Sequence, residues 1–142
     1  MNLVYYENRQ VSANQIAELR RSVGWPGMEE CYNNPLMTSY YHIACYNKDR
    51  LVGYVDTVSN GLTDAYIQDL MVNPEYQGKG VGTKLINKMI DKLKENNIFM
   101  ISVIYGNAEL TPFYQRFGFN QMLCGQMQTY ETAQQMQTYE TE

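Results

Sequence analysis

The stretch from Tyr66 to Ile90 constrains the fold more than any other part of the sequence. It begins with a short apolar run, turns at Asn73-Pro74, and passes through glycines at positions 78, 80 and 82 before an amphipathic segment. This order predicts a strand, a glycine-rich turn and a helix. Backbone amides in such a turn, together with the N-terminus of the helix, bind phosphate groups.

The segments around this stretch predict a sheet with one parallel strand pair. Tyr40–Tyr46 and Leu51–Val58 are rich in β-branched and aromatic residues and are joined by a polar turn, which is typical of a hairpin. Together with Ala65–Val72 they predict consecutive antiparallel strands. Ile98–Tyr105 is an almost unbroken apolar run, typical of a central strand covered on both faces. The helix between Ala65–Val72 and Ile98–Tyr105 predicts a right-handed crossover, and strands joined in this way are parallel.

Smaller elements are predicted at both ends of the chain. Leu3–Glu7 is expected to be a first strand, and Ser12 is expected to cap a helix whose apolar residues recur at helical spacing. Glu109–Phe117 predicts a short helix, and Phe119–Leu123 with Gln126–Thr132 predicts a last strand pair. The expected fold class is α/β, of the α+β type, with a mixed, mainly antiparallel sheet flanked by helices.

The sequence QMQTYET occurs twice near the C-terminus, at 126–132 and 135–141. Two copies are too few for a repeat fold, which needs at least about three units to bury a core. We expect residues 1–132 to form a single domain and residues 133–142 to form a polar, acidic tail. In the alternative, the second copy adds to a sheet edge of a partner subunit and produces a homodimer.

Composition argues against several classes of protein. With 142 residues, of which 44% are hydrophobic, the chain fits one domain with a substantial core. No run approaches the ~18 apolar residues of a membrane helix, and the N-terminus lacks the pattern of a signal peptide, so we expect a cytoplasmic protein without membrane contacts. A net charge of −4 argues against a nucleic-acid partner. The three cysteines have no CxxC spacing, which argues against a disulfide framework or a metal site.

Two common phosphate-binding patterns do not fit the glycine turn. A Walker loop requires GxxxxGK followed by Ser or Thr, and the sequence contains no such segment. A dinucleotide-binding fingerprint requires GxGxxG, but Thr83 stands where the last glycine belongs. The glycine turn is therefore the segment Gln77-Gly78-Lys79-Gly80-Val81-Gly82, which fits neither pattern. Lys79 within it and Lys84 just after it add positive charge.

Residues downstream of the turn carry a family resemblance. Asn107 is followed seven residues later by Tyr114 in the segment NAELTPFYQRFGF. Together with LMVNPEYQGKGVG, this segment resembles the GNAT superfamily of N-acetyltransferases. The family pattern is an apolar strand, a Q/R-x-x-G-x-G/A turn with its helix, and a later Asn…FY…GF segment. The resemblance covers residues 40–123 well, and it implies that the two parallel strands splay apart to hold acetyl-CoA.

The resemblance also implies a role for each part of this cofactor site. The amides of residues 77–83 would bind the pyrophosphate, and backbone groups of residues 70–72 would pair with the pantetheine arm. The amide of Met71 would stabilise the oxyanion of the tetrahedral intermediate. Asn107 would bind the pantetheine arm, and Tyr114 would protonate the leaving thiolate. The implied cofactor-binding residues are Leu70, Met71, Val72, Gln77, Gly78, Lys79, Gly80, Val81, Gly82, Thr83, Asn107 and Tyr114. No metal is implied.

The catalytic base is less clearly marked by the sequence. Asp69 is the candidate that would remove a proton from the acceptor ammonium, because it lies on a strand near the expected cleft. Gln68, Asp56 and His42 are alternatives, and so is a relay of water molecules without a dedicated side chain.

The acceptor is expected to bind opposite the cofactor. Trp25, Tyr32 and Tyr40 are the candidate acceptor-binding residues, since aromatic walls suit an apolar body or a cationic amine. The expected activity is direct transfer of acetyl from acetyl-CoA to a primary amine of a small molecule or peptide in a ternary complex. A catalytically silent acyl-CoA-binding regulator of the same fold and an interaction domain are the alternatives.

Overall fold

The computed structural model describes residues 1–130, which form one five-stranded sheet. The strands are β1 (Leu3–Glu7), β2 (Tyr41–Asn47), β3 (Arg50–Ser59), β4 (Asp64–Val72) and β5 (Met100–Val103). Their spatial order follows the sequence, and all neighbouring pairs are antiparallel except β4 and β5, which are parallel. The predicted fold class is therefore confirmed.

Four helices flank this sheet within residues 1–130. They are α1 (Ala13–Ser22), α2 (Glu29–Tyr32), α3 (Val81–Glu95) and α4 (Thr111–Gln115). The predicted cap of α1 is present, because the Oγ of Ser12 accepts a hydrogen bond from the backbone N–H of Gln15 at 3.1 Å. Across the described residues, no helix combines the length and the apolar character that a membrane crossing requires.

The sheet separates two hydrophobic cores. One face is covered by α3, whose residues Leu85, Ile86, Met89 and Leu93 are fully buried against β2, β3 and β4. The opposite face is covered by α1 and α2, with Ile16, Leu19, Tyr54 and Met71 at its centre. This second face matters for the site, because it brings the first helices of the chain against the middle of β4.

Gly53 allows the first turn of α3 to lie directly against β3. A Cβ atom at this position would lie 2.9 Å from Val81 Cγ1 and 3.1 Å from Leu85 Cδ1, which is closer than ordinary van der Waals contact. We expect Gly53→Ala to lower the free energy of unfolding by about 1–3 kcal/mol, measured by chemical denaturation. Gly125→Ala is the control, since a Cβ there meets open space. Equal stability of the two variants would contradict this account of the packing.

Two predictions for the C-terminal part of the fold are wrong. The sequence predicts a central strand over residues 98–105, but β5 spans only Met100–Val103 and lies at the edge of the described sheet. The predicted strand pair after α4 is not formed in residues 119–130. Met122, Leu123 and Met127 are exposed, so this segment lacks the packing that would hold a strand, and within the described residues the outer edge of β5 has no strand partner. The predicted tail and the second QMQTYET copy lie outside the described residues.

Candidate active site

The parallel strands β4 and β5 separate partway along their length. They pair from Asp64 and Met100 to Ile67 and Val103, after which β4 continues to Val72 without a β5 partner and stays paired with β3. A cleft of about 530 Å³ opens at this point. Its walls are Tyr66–Leu70 of β4, residues 103–107, Leu110, Tyr114 and Gln126, and the residues Arg20, Trp25, Pro26 and Met28 from the first helical region.

A β-bulge shapes the wall that β4 contributes. The register between β3 and β4 shifts between Tyr54 and Asp56, and Asp69 has a φ of +56°. Residues other than glycine rarely adopt this left-handed conformation. The bulge interrupts the alternation of side chains, so that Gln68, Asp69 and Leu70 all line the cleft. Backbone groups of β4 beyond Ile67 are not paired with β5, and they can bond to an extended ligand.

The glycine turn presents amides at the N-terminus of α3. Gly78 and Gly80 have φ values of +75° and +84°, which favour glycine. Gly80 is the N-cap, and no side chain of residues 1–130 caps the helix there, so its first N–H groups are free to bind a ligand. The turn lies against the end of β4, because a Cβ at Gly82 would be 3.6 Å from Val72 Cγ2. Free amides and a helix dipole favour an anion such as a pyrophosphate.

Tyr114 reaches the cleft from α4. Its ring stacks on Tyr105 with the centroids 4.6 Å apart and makes edge contacts with Phe113 and Phe119. Burial, followed by the nearby Tyr105 and Tyr66, raises the pKa of Tyr114 to about 12. The phenol therefore keeps its proton throughout the neutral pH range and can donate it to an atom in the cleft.

A largely buried ion pair also lines the cleft. Nη1 of Arg20 donates to Oδ1 of Asp69 at 3.0 Å, and the hydroxyl of Tyr32 donates to the other carboxylate oxygen. Arg20 also donates from Nε to the carbonyl of Pro26 at 2.6 Å, and its guanidinium lies 5.4 Å from the ring centroid of Trp25. These contacts fix the position of Asp69 at the edge of the cleft.

Comparison with known proteins establishes the family. The model of the acetyltransferase (GNAT) family matches residues 12–119, which include the whole cleft apart from Gln126. The chain belongs to this family. The match confirms the resemblance inferred from the glycine turn and the Asn…FY…GF segment.

Individual proteins are similar to parts of this GNAT domain. GCN5-related N-acetyltransferase 2, a chloroplastic protein of Arabidopsis thaliana, is 36% identical over 70 residues, which are 49% of this chain and 27% of that protein. The uncharacterized N-acetyltransferase ycf52 of Gracilaria tenuistipitata var. liui is 25% identical over 124 residues, 84% of this chain and 68% of that protein. The chain thus spans about a quarter of the Arabidopsis protein, at 27% of its length, and about two thirds of ycf52, at 68%.

A solved structure shares the fold. The crystal structure of a probable acetyltransferase from meticillin-resistant Staphylococcus aureus superposes with a TM-score of 0.77 at 21% identity. The superposition covers 89% of this chain and 100% of that chain. At this level of identity the likeness concerns the fold alone.

The structure brings most of the predicted cofactor-binding residues of this GNAT domain to one region. Leu70, Asn107 and Tyr114 line the cleft. Asn107 Oδ1 accepts from the amide of Glu109 at 2.9 Å, which leaves its Nδ2 group as the donor for a ligand. The remaining predicted residues lie at the end of β4 or in the turn before and at the start of α3, namely Met71, Val72, Gln77, Gly78, Lys79, Gly80, Val81, Gly82 and Thr83. The side chains of Met71 and Val81 are buried in the cores, so only their backbone groups are available.

The predicted acceptor-binding residues do not all meet. Trp25 lines the cleft, whereas Tyr32 contacts it only through Asp69. Tyr40 packs on the α3 side of the sheet, where its hydroxyl accepts from Nδ2 of Asn96 at 2.9 Å. Tyr40 is therefore placed away from the cleft, because it precedes β2 at the opposite end of α3 from the glycine turn.

Arg20 is a residue of the site that the sequence analysis missed. It stands four positions after Ile16, on the face of α1 that packs against the sheet, and it is buried. A charged residue on the apolar face of an amphipathic helix was the available signal. Such residues are rarely buried without a partner, and here the partner is Asp69.

Asp56 lies behind Asp69 and is the most deeply buried carboxyl in the described chain, with 1% of its surface exposed. Neither of its oxygens has a hydrogen-bond partner among the described residues, and the same is true of the neighbouring Tyr54 hydroxyl. Burial, followed by the charge of Asp69, raises the pKa of Asp56 well above its usual range. The neutral, protonated form of Asp56 is therefore favoured over the carboxylate in the folded protein.

The raised pKa of Asp56 predicts how the stability of the protein depends on pH. Its stabilising contribution is complete below the pKa of the unfolded chain, about 3.9, and is lost as the pH rises through the higher pKa of the folded state. Asp56→Asn removes this titration. We expect the melting temperature of the variant to gain on that of the wild type as pH rises from about 4 to about 8. A difference that stays constant with pH would contradict the raised pKa, and Asp64→Asn, on the same sheet but exposed, is the control.

Proposed function

We propose that this GNAT domain transfers the acetyl group of acetyl-CoA directly to a primary amine of a small molecule or peptide, in a ternary complex. The observation that supports this most strongly is that Tyr114, Asp69 and the part of β4 without a β5 partner border a single cleft. A direct transfer needs a proton donor, a proton acceptor and a backbone donor around one reacting carbon. In the proposal, Tyr114 is the proton donor, Asp69 is the proton acceptor and the end of β4 supplies the backbone donor.

The donor half of the site has the features that acetyl-CoA requires. The amides of residues 77–83 would hold the pyrophosphate at the uncapped N-terminus of α3. Backbone groups of Leu70, Met71 and Val72 would pair with the pantetheine arm, which is supported by the absence of β5 pairing beyond Ile67. The Nδ2 group of Asn107 would donate to the same arm. When bound, acetyl-CoA supplies an activated acyl group.

The reacting end of the donor would lie between β4 and Tyr114. The amide of Met71 would face the thioester oxygen and stabilise the negative charge that develops there. Tyr114 would hydrogen-bond the sulfur through its hydroxyl. Because the pKa of Tyr114 is about 12, above that of an ordinary thiol, the phenol gives up its proton only as it receives one from the reacting amine.

The acceptor half of the site combines apolar and charged groups. Trp25, Pro26 and Met28 form an apolar wall, and Asp69 presents a carboxylate beside it. An amine with an apolar body suits this wall, with its ammonium group directed to Asp69. Tyr32 and Arg20 would act on the acceptor by holding Asp69 in place. Tyr40 is left out of the proposed acceptor site because of its position behind the sheet.

Two measurements test the proposal in sequence. Acetyl-CoA should raise the melting temperature of the protein, whereas S-acetylpantetheine, which lacks the pyrophosphate, should raise it less. A panel of primary amines, including free amino acids, short peptides and aromatic amines, is then screened for release of free thiol and for acetylated product by mass spectrometry. Binding of acetyl-CoA without thiol release from any amine would favour an acyl-CoA-binding regulator, and no binding at all would favour an interaction domain.

A further inference from the structure

Asp56 and Asp69 are two carboxyl groups that share one buried environment. Asp56 lies on β3 opposite Gln68 of β4 and opposite His42 of β2. The bulge at Asp69 turns the second carboxyl toward the same side of the sheet, where Arg20 and Tyr32 bond to it. Buried polar groups are nearly always hydrogen-bonded, so the two unpartnered oxygens of Asp56 require an explanation.

Each element packed against this carboxyl pair contributes a titratable or charged group. Arg20 comes from α1, Tyr32 from α2, His42 from β2, Tyr54 from β3 and Tyr66 from β4. His42 donates from Nε2 to the carbonyl of Arg9 at 2.7 Å and therefore points this proton away from the pair. Arg20 is the cation bonded to the pair, so it balances one of the two carboxylates. Ionising the second leaves a buried negative charge without compensation.

A single carboxylate is poorly matched to the reaction that the site is proposed to catalyse. An aspartate has a reference pKa of about 3.9, whereas an efficient base at neutral pH needs a value near the working pH. Two interacting carboxyl groups titrate as a unit, and the second proton leaves the pair at a much higher pH than the first. The same arrangement that makes Asp56 hold a proton therefore provides a stronger base than Asp69 alone.

We propose that Asp56 and Asp69 form a carboxyl pair that binds one shared proton and acts as the base for the acceptor ammonium. The inference rests on the proposed acetyl transfer. In this step an N–H bond of the ammonium breaks and an O–H bond forms on Asp69, from which the proton is shared with Asp56. The charge of the pair changes from two negative charges to one, and no further reactant is needed. The second proton that the nitrogen loses goes to the departing sulfur through Tyr114.

The two members of the pair have different roles. Asp69 lines the cleft and touches the acceptor, so it is the catalytic residue. Asp56 does not reach the cleft and acts through Asp69, so it is a positioning residue. This division predicts that Asp56 controls the pH at which the base works and has little influence on acceptor binding.

The pH profile of Asp56→Asn tests this role. For the wild type, we expect kcat/KM for the amine to rise with pH as the shared proton is lost. In Asp56→Asn this rise should be absent or moved to lower pH, and the plateau rate should fall by about tenfold or more, because the remaining carboxylate is a weaker base. Two amines of different pKa separate the titration of the enzyme from that of the substrate. Asp64→Asn should behave as the wild type. A rise at unchanged pH in Asp56→Asn would overturn the proposal, even if the rate were lower.

A second measurement separates this inference from the proposed function. Carbon-13 NMR titration of the aspartate carboxyl groups, in protein without substrates, should show Asp56 and Asp69 responding in one common step. In the Asp56→Asn variant, the carboxyl signal of Asp69 should no longer show that step. Independent titration of the two groups, with normal thiol release, would overturn the pair and leave the acetyl transfer standing. Common titration with no thiol release from any amine would overturn the transfer and the role as a base, while confirming the shared proton.

Discussion

Replacement of Tyr114 by phenylalanine is expected to lower kcat for acetyl transfer by about 10²–10⁴-fold, with little change in the affinity for acetyl-CoA. The substitution removes only the hydroxyl group. The ring would still stack on Tyr105 and contact Phe113 and Phe119, so the walls of the cleft remain in place. Because binding of acetyl-CoA is assigned to backbone amides and Asn107, the loss should appear in turnover. Steady-state kinetics and a separate binding titration measure the two effects.

Tyr40→Phe is the matched control for this substitution. Tyr40 is also a partly buried tyrosine whose hydroxyl has a hydrogen-bond partner, but it lies on the α3 side of the sheet, away from the cleft. Its kcat should equal that of the wild type within about twofold. If Tyr114→Phe keeps full turnover, the hydroxyl does not protonate the leaving group. If Tyr40→Phe loses turnover as well, the effect is one of stability.

The donor half of the site could be predicted from the sequence because its features are local. Glycines at 78 and 80 are needed for left-handed backbone, and the amides they expose belong to the same turn. Tyr114 lies seven residues after Asn107, and both are placed by one short connection and one short helix. Patterns of this kind depend on few long-range contacts, so spacing along the chain is enough to identify them.

The acceptor half depends on contacts between distant parts of the chain, and the sequence carries little trace of them. Arg20 and Asp69 are separated by 49 positions and meet because α1 packs across β4. The bulge at Asp69 turns its side chain toward that helix, and no glycine or proline in the sequence marks it. Tyr40 was predicted to bind the acceptor but lies on the α3 side of the sheet. Aromatic character alone does not reveal which face of a sheet a residue occupies.

The strand pair predicted for the C-terminal segment was wrong for a different reason. Residues 119–130 alternate apolar and polar side chains in places, which predicts strands, but a strand also needs a neighbour to pair with and a core to cover. In the structure Leu123 and Met127 contribute to neither core. Local pattern was therefore correct for β2, β3 and β4, which are covered on both faces, and misleading where packing was missing.

Replacement of Arg20 by leucine is expected to lower the free energy of unfolding by about 3–5 kcal/mol, because it removes one partner of a buried ion pair and leaves the other without compensation. The side chains of Arg20 and Asp69 are only 10% and 18% exposed, so water cannot replace the lost partner efficiently. The carbonyl of Pro26 also loses its donor, and Asp69 remains beside the carboxyl of Asp56. Denaturant unfolding at neutral pH measures the loss.

Arg21→Leu is the control for the loss of a cation from the same helix turn. Arg21 pairs with Glu29 at the surface, where the two side chains are 54% and 38% exposed, so its removal should cost less than about 1 kcal/mol. The double variant Arg20→Leu/Asp69→Asn should recover part of the stability lost in Arg20→Leu, because it removes the uncompensated charge. If Arg20→Leu is no less stable than Arg21→Leu, the pair does not hold α1 to β4. In that case the position of Asp69 at the cleft must be fixed by Tyr32 and the bulge alone, and the acceptor wall would be less rigid than the contacts of Arg20 indicate.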